Sequence, residues 1–198
     1  MRVAVPGRAT PSAGRPATYM ERVPRLSHVG LTVRDLDTSL AFWRDHLRLR
    51  ELGRGVVEWE HLDRIIGLEG TQIEWAELEL PGGAILELFA YWRPRAEPLP
   101  PGGMNRPGMT HICLEVDHIE QVVERLTVAG YQARSRELVT IPRGAYKDFK
   151  CIYFLDPDGV TLELCERPRG QRPASRRRAS AMKAHTTSHF DEEAGHHG

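Results

Sequence analysis

The feature that most limits how this chain can fold is a repetition. Ser27-His28-Val29-Gly30-Leu31-Thr32-Val33 returns as Thr110-His111-Ile112-Cys113-Leu114-Glu115-Val116. In each stretch apolar residues fall at alternate positions and one His stands near the start, the period of a half-buried strand. An acidic helix start follows each: Asp35 and Asp37 after the first, Asp117 after the second. A second echo lies further on, Leu86-Glu87-Leu88 and Leu162-Glu163-Leu164. Two His and two Glu thus hold matching places in two halves of about 80 residues, and repetition on that scale predicts duplicated modules.

Within the first half, Leu26 to Val33 reads as a strand with Val29, Leu31 and Val33 on one face. Asp35 or Asp37 is placed to cap a helix running to about Leu49, with Leu36, Leu40, Trp43 and Leu47 on one stripe. A strand falls within Glu51–Glu58, and Glu60 to Leu68 predicts a short helical turn. Gln72 to Leu80 and Ala84 to Tyr91 form a hairpin around Pro81-Gly82-Gly83. Ala76, Leu78, Leu80, Leu86 and Leu88 are expected to cover the helix. The opposite face carries Trp75, Glu77, Glu79, Ile85, Glu87 and Phe89, and its aromatic rings predict a lined cavity.

The second half restarts with a strand at Met109–Val116 and a helix whose start, Asp117 with Glu120, resembles a capping box. Ile119, Val122, Val123, Leu126 and Ala129 share one face of it, and Gly130 is its stop. Tyr131 to Leu138 reads as a strand and Ile141 to Asp148 as a polar loop. Lys150–Leu155 and Val160–Glu166 pair across Asp156-Pro157-Asp158-Gly159, a strong turn sequence. The expected fold is α+β: two tandem βαβββ modules forming a curved, cavity-enclosing mixed sheet. Residues 24–167 are the folded domain, with module one at 24–92, a linker at 93–107 and module two at 108–167. Residues 1–23 and 168–198 lack an apolar period and are expected to be disordered.

Lys+Arg and Asp+Glu both number 27, so net charge gives no reason to expect nucleic-acid or membrane binding. No apolar run approaches the roughly 18 residues of a membrane span. Three widely spaced Cys do not make a disulfide framework. The expectation is a soluble protein of the reducing cytoplasm.

Both His fall on the first strand of a half, both Glu on the last, and all four on the face opposite the apolar stripe. If the sheets curve around one cavity, two imidazoles and two carboxylates converge, a donor set suited to a divalent first-row metal. Cys113 and Cys165, two residues beyond His111 and Glu163, share that face as small packing residues.

Over residues 24–167 the chain resembles the vicinal oxygen chelate superfamily, which includes glyoxalase I, methylmalonyl-CoA epimerase, extradiol dioxygenases and the fosfomycin and bleomycin resistance proteins. The resemblance is carried by His28-Val29-Gly30, by Phe42-Trp43-Arg44-Asp45-His46-Leu47, by His111, and by Phe154-Leu155-Asp156-Pro157-Asp158-Gly159-Val160 leading into Leu162-Glu163-Leu164. It implies one divalent ion (Ni, Co, Zn, Mn or Fe(II)) held by His28, Glu87, His111 and Glu163. The four-ligand set looks more like the glyoxalase I and epimerase branches, although the epimerase commonly has a Gln where Glu87 stands.

The implied chemistry is proton transfer next to a carbonyl through a metal-bound enolate, as an epimerase, isomerase or glyoxalase-like lyase. Either Glu163 or Glu87 would serve as base, as the resemblance allows. Glu77, expected opposite Glu87 across the hairpin, is a third candidate. Trp75, Phe89 and Phe154 are expected to form the pocket wall, and Arg143 and Lys147 to meet an anionic group on the substrate. The alternatives are an Fe(II) extradiol-type dioxygenase and a metal-free drug-binding resistance protein. A small carbonyl compound is the expected partner, and the resemblance allows a homodimer.

Overall fold

Alternation of apolar and other residues, repeated in two halves, produces two sheets of the same design. The structure, a computed structural model, describes residues 24–98 and 103–171. The tail expected at 1–23, the linker residues 99–102 and the chain from 172 onward lie outside the described residues. In chain order the elements are β1 (His28–Val33), α1 (Leu36–Leu40), a π-helical segment (Ala41–His46), β2 (Arg50–Val57), α2 (Glu60–Ile66), β3 (Gln72–Glu79) and β4 (Ile85–Arg93). The second half gives β5 (His111–Glu115), α3 (Ile119–Val128), β6 (Val139–Thr140), β7 (Lys150–Leu155) and β8 (Thr161–Glu166).

The eight strands divide into two four-stranded mixed sheets, ordered β1-β4-β3-β2 and β5-β8-β7-β6. In each, the first strand of the module runs parallel to the last, and the other pairs are antiparallel. The fold is α+β, with the βαβββ element order in the second half and the same order, with α2 inserted between β2 and β3, in the first.

By contact, the chain forms two compact units: residues through Leu36 with Leu49–Ala96, and Asp37–Arg48 with Glu97 onward. In the first unit, Ala76, Leu78, Leu86 and Leu88 are fully buried on one face of the β3–β4 hairpin. The turn between the strands is closed by Gly83 N donating to Leu80 O and Leu80 N to Ala84 O. Asp63 of α2 accepts from the backbone N–H groups of Gly70 and Thr71 at 2.8 Å each, tying α2 to the start of β3.

The second unit contains the helix of the first half. Phe42 and Trp43 are fully buried, and the Phe42 ring meets Tyr131 edge-on at 4.7 Å. Arg125 Nε donates to His46 O at 2.8 Å. The helix that module one was expected to cover therefore packs with the second module's elements. Its second half is wound as a π-helix, with Leu47 N donating to Phe42 O. That wider winding was not visible in the spacing of Leu36, Leu40, Trp43 and Leu47, which fits an ordinary 3.6-residue period.

Two local expectations for the second half change. Asp117 is not the helix cap. His118 occupies that position in the left-handed region (φ 56°), without a side-chain cap. Glu166, from the end of β8, reaches back and accepts from Ile119 N at 2.7 Å, so the orphan N–H is satisfied from across the sheet. Tyr131 to Leu138 does not form the expected strand. Arg134 N and Ser135 N both donate to Tyr153 O, and Ser135 Oγ accepts from Tyr153 N. Two residues thus compete for one ladder position, and a side chain replaces a backbone acceptor. Regular pairing on this edge is confined to Val139–Thr140.

Candidate functional site

Each sheet has one buried face and one less covered face, and every expected metal donor is on the latter. In the first unit His28 is level with Ile85 and Gly30 with Glu87. In the second, His111 is level with Thr161 and Cys113 with Glu163. In both modules the Glu lies opposite the residue two beyond the His, on the same face. That common offset brings His28 Nε2 to 3.6 Å from Glu87 Oε2, and His111 Nε2 to 3.0 Å from Glu163 Oε2. The imidazoles are about half exposed (54% and 40%), while their carboxylates are mostly covered (19% and 18%).

The donor chemistry fits a cation. Ligand atoms about 2.1 Å from a divalent ion, at angles between octahedral and tetrahedral, are about 3.0–3.4 Å from each other. The two N···O separations fall at or close to this range. Each module thus brings together one imidazole and one carboxylate. Among the described residues no group of three or more His, Cys, Asp or Glu lies close enough to hold a metal ion.

Around the first pair, Glu77 is directly opposite Glu87 in the β3–β4 ladder, as the hairpin predicted. Burial pushes the Glu87 carboxyl above its ordinary range; the Glu77 charge adds to this and His28 opposes it. Trp75 and Phe89 face each other one step along. Both rings rest against glycines: a Cβ on Gly55 would meet the Trp75 indole at 3.3 Å, and one on Gly30 would meet the Phe89 ring at 3.4 Å. The absence of side chains at Gly30 and Gly55 is what lets the two aromatics lie close to the sheet.

Around the second pair the residues differ. Tyr153 is level with Glu163 and its ring is edge-on to His111, with centroids 5.6 Å apart. Burial, followed by the Glu163 charge and its hydrogen bond, pushes the phenol to about 12. Cys165 is level with Cys151 and accepts from Cys113 Sγ at 3.6 Å. All three cysteines are free thiols. Burial pushes each upward, Cys151 to about 11.

Phe154 is not on this face. It is level with Leu162, fully buried in the core, and the wall position expected for it belongs to Tyr153. Counting back across the Asp156–Gly159 turn from Glu163 leads to Tyr153, so the register carried the signal. Arg143 and Lys147 stand in an exposed loop. Lys147 N donates to Gly144 O within that loop. The hydrogen bonds and ion pairs described draw neither side chain to the His111–Glu163 pair.

Comparison with known proteins agrees with this fold. Residues 25–164 match the family model described as the Glyoxalase/Bleomycin resistance protein/Dioxygenase superfamily. An uncharacterized protein, YaeR, of Escherichia coli (strain K12) is 27% identical over 145 residues, 72% of this chain and 95% of its own. Among solved structures, a glyoxalase family protein from Bacillus cereus superposes with a TM-score of 0.64 at 23% identity, covering 76% of this chain and 98% of its own. A glyoxylase/bleomycin resistance protein/dioxygenase domain from Frankia sp. EAN1pec gives a TM-score of 0.53 at 25% identity, over 76% and 96%.

Proposed function

Because the chain belongs to the Glyoxalase/Bleomycin resistance protein/Dioxygenase superfamily, we propose that it is a metal-dependent enzyme that moves a proton at the carbon next to a carbonyl, as an epimerase, isomerase or glyoxalase-like lyase. The observation that supports this most is the pairing of one imidazole with one carboxylate at the same strand offset in both modules. A repeated offset is not needed for two unrelated solvent-facing ion pairs. It is what duplicated ligand positions require.

The residues that would hold a divalent cation are His28 and Glu87 in module one, and His111 and Glu163 in module two. Such an ion supplies Lewis-acid polarisation of a carbonyl oxygen, which acidifies the neighbouring C–H and stabilises an enolate. The protein's own part is to remove and return the proton. Glu77 is the candidate base, because it lies opposite Glu87 and is not itself in a His pair. Glu87 and Glu163 are the alternatives for that role. Trp75 and Phe89 offer flat apolar surface beside Glu87 for the body of a small carbonyl substrate.

The test is solvent exchange. The purified protein, reconstituted with a divalent metal, is incubated with a panel of α-hydroxy ketones, keto acids and thioesters in deuterated water. Deuterium appearing at the carbon next to the carbonyl, and lost after chelation, supports the reading. Exchange that survives exhaustive chelation overturns the metal assignment. Oxygen uptake with a catechol and no exchange anywhere in the panel overturns the proton-transfer assignment.

A further inference from the structure

We propose that the less covered face of the first sheet selects an uncharged aromatic carbonyl compound, whose ring lies between Trp75 and Phe89 above the Glu77–Glu87 step. This deepens the reading above, on which it rests for the place of the carbonyl beside Glu87.

The two edge strands of this sheet place glycines on that face. Gly30 of β1 is level with Glu87, Gly53 of β2 with Glu77, and Gly55 with Trp75. A glycine inside a strand weakens it, and often marks a place where another group approaches closely. Here the approaching groups are the two rings. A Cβ on Gly55 would meet the indole at 3.3 Å, one on Gly53 would meet its six-membered ring at 3.6 Å, and one on Gly30 would meet Phe89 at 3.4 Å. The indole therefore lies outward over β2 and extends toward Gly53. The Phe89 ring lies outward over β1 and back toward Gly30. The two rings splay apart although their backbones are directly opposed. Both lean toward the same step of the ladder, where Glu77 faces Glu87. A strip of sheet is left with one half-buried aromatic ring on each side.

Shape and charge on this strip select the ligand. A planar ring set between the two side rings meets them in offset-stacked or edge-on geometry, which binds more tightly than buried area alone accounts for. A saturated ring of the same size fills the space without that contact. An anionic substituent would be brought beside two carboxylates. Arg50, which is level with Glu79 on the same face, is already held by that carboxylate, with Nε donating to Glu79 Oε2 at 2.9 Å. Like charges at such short range repel strongly. The face therefore favours an aromatic ring that carries no carboxylate or phosphate.

Binding to the purified full-length protein is measured by titration calorimetry with phenyl, cyclohexyl and 4-carboxyphenyl hydroxymethyl ketone. The phenyl compound is expected to bind about 10-fold more tightly than the cyclohexyl one, and about 10-fold more tightly than the carboxyphenyl one. Trp75→Leu and Phe89→Leu keep apolar volume and remove a ring; each is expected to cut the phenyl-over-cyclohexyl ratio to about 3-fold or less. Circular dichroism of both variants confirms that a lost preference is not a lost fold. Equal binding of the phenyl and cyclohexyl ketones overturns the proposal, as does a preference unchanged in both variants or a carboxyphenyl ketone bound as well as the phenyl one. Solvent exchange with aliphatic ketones and no phenyl preference overturns this inference and leaves the proton-transfer reading standing. A phenyl preference without exchange anywhere in the panel does the reverse.

Discussion

At the scale of single residues, Tyr153 and Glu77 separate two kinds of contribution. The Tyr153 hydroxyl faces the Glu163 carboxylate and its ring faces His111, a placement from which it would hold two proposed ligands in place. Groups that orient ligands typically cost about 10–100-fold in metal affinity when lost. Tyr153→Phe is expected to weaken divalent-metal binding by about 10-fold, read by competition with a metallochromic chelator, while its far-UV spectrum stays native. Unchanged affinity would leave the tyrosine a packing residue only. Glu77 is outside the His–Glu pairs, so Glu77→Gln is expected to keep its metal and lose turnover by about 100-fold or more, the usual scale for removing a general base. Full exchange activity in that variant would pass the role to Glu87 or Glu163. Of these two residues the sequence revealed one. Glu77 followed from symmetry about Pro81-Gly82-Gly83. Tyr153 needed the Lys150–Glu166 register, and there the residue with the more familiar sequence context, Phe154, pointed into the core.

At the scale of elements, the Asp156–Gly159 turn carries a buried charge. Asp156 Oδ1 accepts from Asp158 N at 2.9 Å and Val160 N at 2.7 Å. Asp156 Oδ2 and Trp43 Nε1 are both buried without a completed hydrogen bond. The indole eases the carboxylate's burial only slightly, and burial pushes Asp156 to about 6. The folded state therefore holds a proton that the unfolded chain releases near its ordinary value of 3.8. Stability from this group is fully present below about pH 4 and is lost as pH rises through about 6, a total on the order of 3 kcal/mol. Asp156→Asn keeps an oxygen for both turn N–H groups and removes the titration. Relative to the parent it is expected to be more stable at pH 7 than at pH 4 by up to that amount, measured by urea unfolding at both values. An equal difference at the two pH values would show the turn indifferent to this charge. The turn itself was legible from Asp-Pro-Asp-Gly; its ionisation was not, because the burial that shifts it comes from the folded core and not from the turn sequence. A separation of 47 residues concealed the Glu166 cap on α3. Local patterns fixed the strands and their faces well, and failed wherever a side chain from elsewhere took over a backbone partner.

At the scale of the whole molecule, repetition in sequence does not translate into two self-contained halves. Asp37–Arg48 belongs by contact with the chain beyond Glu97, and it brings the fully buried Phe42 and Trp43 with it. Truncating a buried aromatic costs about 3–5 kcal/mol, a large share of a small unit's stability. A fragment of residues 97–171 lacks both rings and is expected to show no cooperative thermal transition, whereas the full chain does. A fragment melting sharply near the parent temperature would mean that the helix is dispensable. The duplication was plain in His28/His111 and Glu87/Glu163. The grouping of the first helix with the second unit was not, because its stripe is equally apolar whichever sheet it meets.

A protein emerges from the ribosome N-terminus first, and this one makes the helix long before the strands that shelter it. From Arg48 to Glu166 there are 118 residues, which at about 5–20 residues per second take roughly 6–24 s. Until Tyr131 is made, Phe42 is without that side of its shelter, while β2, β3 and β4 of the first sheet are still being synthesised for part of the interval. Trigger-type chaperones that hold apolar segments during translation would find their target here, and slowing elongation between codons 48 and 166 would lengthen the time this segment spends at risk of aggregation.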